Sequence, residues 1–314
     1  MPFATVAVNV AILVGLAVPG FVLRKTKVLK ENAAGVLALV LMFVAQPASV
    51  ARAFVKLKYD PQIGLNILIL VGMYVLVGLL VLAVAMPIFH KKDPETGVVK
   101  ENHRMYRFAA TFGNVGYLGI PLVETLFPDR PVMHLYVGIC VVMFNLMTWT
   151  LGVIVVTADA KKLTWKKLLN PCIVAALVTV PFFLLQNVIV PAPVVRFVEY
   201  LNYLTAPISM LILGARMAEM RLPALLSDGR VYLSGSLRLV FAPLLTFGLL
   251  HLFGVTDPDL FNTLVIMSAM PAAASCIVFA ERFLTESYTA VRCTLLTSLL
   301  CVVTMPVVCV LLLI

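Results

Sequence analysis

The chain has 314 residues, of which 62% are hydrophobic and only 12% are Asp, Glu, Lys or Arg, with a formal net charge of +9. A water-soluble domain of this size needs a polar surface, and a disordered chain is poor in apolar residues, so both classes are excluded. What remains is an all-α polytopic membrane protein, because ~20 apolar residues in a helix cover the ~30 Å of hydrocarbon.

Ten apolar segments follow in chain order, at 3–23, 34–55, 63–89, 105–126, 133–156, 170–189, 194–215, 231–253, 259–281 and 288–313. Segment 1 has no basic stretch ahead of it and ends on Arg24 and Lys25, so it reads as a span and not as a cleaved leader. Segment 2 holds Gln46-Pro47-Ala48-Ser49. Segment 3 carries Asn66 and no Asp or Glu. Segment 4 is interrupted by Gly113-Asn114-Val115-Gly116-Tyr117-Leu118-Gly119-Ile120-Pro121. Segment 5 bears the polar stripe Asn145, Thr148 and Thr150. Segment 7 holds Ala206-Pro207-Ile208-Ser209, segment 8 holds Arg238, and segment 9 is interrupted at Met270-Pro271-Ala272-Ala273-Ala274-Ser275.

The odd loops carry 16 Lys and Arg and the even loops 5. By the positive-inside rule the odd loops are cytoplasmic and both termini lie outside, in a multi-pass protein of the cell (inner) membrane. The same placement beside lipid headgroups accounts for the net charge without nucleic acid as a partner. Six cysteines fall inside apolar runs without C-x-x-C spacing, and the four histidines do not cluster, so neither a metal site nor a cofactor is expected. The spans hold no H-E-x-x-H, no G-x-S-x-G and no paired carboxylates, and the chain has no phosphate-binding loop, which argues against an enzyme and an ATP-driven motor.

Pro47 pairs with Pro207, and the Gly113 interruption with that at Pro271, at an offset of roughly 160 residues. Proline removes a helix donor and glycine lets the backbone leave helical geometry, so these are the expected helix breaks. Residues 1–156 then form a first five-helix repeat and 157–314 a second. Five is odd, so the second enters the membrane inverted. Paired breaks in matching segments point to the binding site of a secondary transporter.

The run Gly113 to Leu122 resembles the helix 4 signature of the auxin efflux carrier family, G-N-x-G-[FY]-x-G-x-P-L. Ala269-Met270-Pro271 with Val278-Phe279-Ala280, Asn170-Pro171 and Leu213-Gly214 are similar to weaker patterns of that family. The resemblance implies ten transmembrane helices as two inverted repeats, with broken, crossing helices 4 and 9. It also implies a homodimer, a scaffold of helices 1, 2, 6 and 7, and a transport domain of helices 3–5 and 8–10 that moves as an elevator. Plant members carry proline in place of Gly113, which implies a more flexible crossing here. The carboxylate of plant segment 3 and the long plant loop 5 are absent, which marks a bacterial-type member.

The expected substrate site is Gly113, Asn114, Val115, Asn145, Pro271, Ala272 and Arg238, with Gln46, Ser49, Asn66 and Ser275 lining the cavity. Asn114 is either a donor to a carboxylate or a cap on the broken helix. Arg238 neutralises an anion, snorkels, or braces the crossing through carbonyls. Asn145 faces substrate or bonds a neighbouring helix. Arg282 and Arg292, near helix ends, read as solvated or interfacial. The expected cargo is a small organic anion, a carboxylate. The alternatives are a sodium- or proton-coupled carrier with cation sites at the breaks, or a channel or receptor.

Overall fold

The computed structural model describes residues 3–30, 32–55, 57, 59–163, 170–185, 190–219, 228–285 and 287–313. Lys56, Lys58, Lys166, Lys167 and Arg221, which entered the loop charge balance, and the end of segment 6 lie outside them. Among the described residues the structure is helical, with two isolated β-bridges and no strand.

Among the described residues, seven helices are long and apolar enough to cross a membrane: α1 (Val6–Lys25), α2 (Ala33–Val55), α3 (Pro61–Ile88), α6 (Pro131–Thr157), α8 (Ala192–Glu219), α9 (Gly229–Leu252) and α12 (Tyr288–Leu312). They correspond to segments 1, 2, 3, 5, 7, 8 and 10. Segment 4 is two helices, α4 (Glu101–Thr111) and α5 (Val115–Leu126), and segment 9 is α10 (Pro258–Ser268) and α11 (Ser275–Phe283). Segment 6 contributes α7 (Pro171–Leu184).

Helix starts follow a repeated local device. Asp60, Asn170 and Asp257 each place a side-chain oxygen on a backbone N–H of the first turn, and proline follows each of them. The side chain satisfies a donor that the helix leaves unpaired, and proline there lacks only an N–H that would have had no partner. Large apolar side chains such as Leu68, Leu177, Phe197, Val303 and Leu311 stay exposed on the outside of the bundle. Such a surface suits hydrocarbon and would drive aggregation in water.

Two of the four expected breaks differ in kind from the other two. At Pro47 the helix is not interrupted: α2 widens into a π-turn over Leu41–Ala45 and continues through Gln46–Val55. The wider turn accommodates the missing N–H of proline without ending the helix. At Pro207 the interruption falls just before the proline, in a turn at Tyr203 and Leu204. Helices α1 and α8 meet at bare backbone. A Cβ on Gly214 would lie 2.8 Å from the Ala17 carbonyl carbon, and one on Gly20 2.8 Å from the Leu211 Cα. Small residues permit this approach where lipid supplies no hydrophobic drive for helix association.

The breaks in segments 4 and 9 lie against each other. Gly113 and Ala272 form an antiparallel bridge. Asn114 N–H donates to the Pro271 carbonyl at 2.7 Å, and Ala273 N–H to the Phe112 carbonyl at 2.9 Å. The backbone groups freed by each break are thereby satisfied by the other, as hydrocarbon requires. One apolar core gathers around α5, α6 and α10, and a second around α4, α9, α11 and α12.

Candidate functional site

A cavity of about 290 Å³ opens beside the paired breaks. Its polar lining comes from four places: Gln46 on α2, Asn114 at the break, Asn145 and Thr148 on α6, and Ser275 and Arg282 on α11. Phe43, Tyr117, Phe144, Trp149 and Phe279 supply apolar wall. No Asp or Glu is among the described lining residues.

Asn114 caps α5: its Oδ1 accepts from Tyr117 N–H at 3.2 Å. Its Nδ2 protons have no acceptor among the described residues. Asn145 donates its Nδ2 to the Val141 carbonyl one turn back at 2.8 Å, which leaves its Oδ1 without a donor. The hydroxyls of Thr148 and Ser275 are buried with no hydrogen-bond partner among the described residues. Orphaned polar atoms cost stability unless something else meets them, and here they share one cavity. Helix α11 begins beside the cavity with no side-chain cap. The amino ends of α5 and α11 thus bring partial positive charge to the lining.

Arg282 is the one charged residue among the described lining residues. Its guanidinium carbon lies 5.9 Å from the Trp149 ring centroid and 5.7 Å from that of Phe283. Its exposure agrees with the solvated or interfacial reading of the sequence, which did not place it beside this cavity. The signal was present in the spacing: Ser275, Val278, Phe279 and Arg282 stand at i, i+3, i+4 and i+7, and all four line the cavity.

Arg238 lies on the other side of the breaks. It sits in a π-turn of α9, Leu237–Phe241, and is buried. Nε donates to the Met270 carbonyl at 2.8 Å, Nη1 to Thr111 at 2.9 Å, and Nη2 to Met267 at 3.1 Å and Ser268 at 2.7 Å. Of the three roles open to it from the sequence, the geometry is that of a brace. Gly113 explains itself here: a Cβ would stand 2.7 Å from the guanidinium carbon of Arg238. The absence of a side chain at 113 leaves room for this buried guanidinium against the backbone.

Other expected positions fall elsewhere. Val115, Pro271 and Ala272 do not line the cavity; Val115 is in the core, and Pro271 and Ala272 act through their backbones, with Ala272 N–H donating to Thr297 Oγ1 at 3.0 Å. Asn66 is buried against α6, donating to the Tyr136 hydroxyl at 3.0 Å and accepting from Gln62 Nε2 at 3.2 Å. Ser49 Oγ lies 2.9 Å from Thr205 Oγ1 and ties α2 to α8. These two side chains are held by neighbouring helices and not by the cavity. Beyond Ser49 on the same helix, Arg52 Nη1 meets Glu124 Oε1 of α5 at 2.5 Å, and Asn202 Nδ2 of α8 donates to the same oxygen at 3.2 Å. The cavity therefore stops at Gln46 on α2 and Tyr117 on α5, and one to two turns further the same helices are locked together.

Apolar helices around two paired, interrupted segments, with a polar cavity at the pairing, make this a multi-pass membrane transport protein. The chain belongs to the membrane transport protein family, that of the auxin efflux carriers, whose model matches residues 5–164 and 155–309. It is a family of transporters and not of enzymes. No curated protein matches the chain significantly.

Proposed function

We propose that this transporter is a secondary carrier of a small organic anion, a carboxylate with an apolar body. The observation that supports the reading is the described lining of the cavity: two half-helix amino ends, orphaned donors on Asn114, Thr148 and Ser275, and, among the described residues, Arg282 as the single charge and no acid. A carboxylate accepts from such donors and from helix amino ends. A second carboxylate would have no cation to meet, and burying it would be costly. The aromatic wall suits an apolar remainder, and about 290 Å³ suits a small one.

In this reading the chain is two inverted repeats, 1–156 and 157–314, whose broken helices cross. Helices α3–α6 and α9–α12 carry the cavity as an elevator past a scaffold of α1, α2, α7 and α8. The cavity lies where α2 faces α5, α6 and α11, which is the boundary such motion needs. The Arg52–Glu124–Asn202 lock joins the two groups at one end and closes that side. In this reading the locked end faces outside and the Arg282 end the cytoplasm, with both termini outside, an orientation that the bias of Lys and Arg toward the odd loops supports. Assembly as a homodimer in the inner membrane belongs to the same proposal.

The test is thermal unfolding of the purified protein against small carboxylates, since a ligand of the folded state raises its apparent stability. A rise with an aromatic or branched monocarboxylate, larger than with malonate or malate, is expected. A rise only with neutral or cationic solutes overturns the reading.

A further inference from the structure

The carboxyl ends of α4 and α10 converge on one point. Thr111 closes α4, Met267 and Ser268 close α10, and Met270 lies in the break that follows. Carbonyl oxygens gathered from half-helix carboxyl ends are what an alkali cation binds in carriers with broken helices. Here all four accept from one guanidinium.

The charges match. Each helix carboxyl end carries roughly half a negative elementary charge, so two ends offset about one positive charge. No carboxylate among the described residues pairs with Arg238, and burying a guanidinium without one is costly unless dipoles replace it. Gly113 lets the group lie flat on the backbone, and the free space beside it is only about 30 Å³, with Tyr74, Thr246 and the carbonyl-bearing residues around it.

We propose that Arg238 is a tethered cation standing where a coupling ion would otherwise sit. It holds α4 and α10 together by their carbonyl ends, so the carrier binds no alkali cation at the breaks and needs none there to assemble its site. The proposal builds on the carrier reading, and its test uses no substrate, so the two fail separately.

The experiment is thermal unfolding of the purified full chain, wild type and Arg238→Ala, in matched millimolar guanidinium, sodium, potassium or choline chloride. Wild type should melt at one temperature in all four salts. Arg238→Ala should melt lower in choline chloride. Guanidinium should recover roughly 2–4 °C of that loss by occupying the vacated carbonyls. Partial recovery by sodium would also support the assignment, since the same carbonyls would then hold a free cation. Recovery by no cation overturns the proposal, because a residue that merely fills space is not replaced by a soluble ion. Should Arg238→Ala fail to fold, the wild-type arm decides: stabilisation by sodium over choline overturns the proposal, and identical melting upholds it.

Discussion

The side-chain amide of Gln46 lies against the bare Cα of Gly116, so that α2 and α5 touch at the edge of the cavity through a residue with no side chain. A methyl group at 116 would overlap Nε2, the far end of a flexible side chain. Gly116→Ala is therefore expected to swing Gln46 into the cavity and leave the fold intact. Calorimetric titration with a stabilising carboxylate should show weaker binding with the melting temperature nearly unchanged. A large loss of stability with unaltered affinity would refute this.

Gly214→Ala should do the reverse. Its methyl would meet the backbone of Ala17, which has no rotamer to change. Overpacking of this kind costs roughly 1–3 kcal/mol. A melting temperature lowered by several degrees is expected, with binding preserved in the fraction that folds.

Asn114 has two separable tasks. Its Oδ1 caps α5 and its Nδ2 is available to the cavity. Asp caps a helix as well as Asn but cannot donate and adds a charge, whereas Ala removes the cap at a cost of ~1 kcal/mol. Asn114→Asp should keep wild-type stability and lose ~10-fold or more in carboxylate affinity. Equal affinity in both proteins would leave Asn114 as a cap only.

Arg282→Gln leaves an N–H donor on α11 and removes the one charge among the described lining residues. Because the residue is largely exposed, solvent weakens its field, and a loss of roughly 3–10-fold in anion affinity is expected. The salt dependence of binding should flatten in parallel. Titration at two ionic strengths measures both.

Asp228 supplies a dependence on pH. Partial burial raises its pKa, but the Tyr106 hydroxyl, the Arg230 N–H and the Arg292 guanidinium together hold it below the ordinary carboxylate value. A group depressed on folding stabilises the folded state above its unfolded pKa, and the contribution is lost as pH falls through the folded value. Melting temperature should therefore fall on acidification below the ordinary carboxylate range. Asp228→Asn should lower it at neutral pH and reduce its slope in acid.

The membrane class and the two interruptions at Gly113 and Pro271 were legible in the sequence, and the helix starts at Asp60, Asn170 and Asp257, which the structure brought out as caps, carry an equally local signal. Each depends on chemistry within a few residues: apolar run length, a side chain reaching the next turn, a missing N–H or Cβ. Arg282 was legible too, at helical spacing from Ser275. The fates of Asn66, Ser49, Asn145 and Arg238 were not. All are polar residues in apolar helices, and hydropathy does not say which partner each will find. Only the packing of distant segments gave Asn66 to Tyr136 and Ser49 to Thr205, left Asn145 to the cavity, and brought four carbonyls from two other segments onto Arg238. In lipid a polar group must find its partner inside the protein, and which partner it finds is decided by helices far away in the chain.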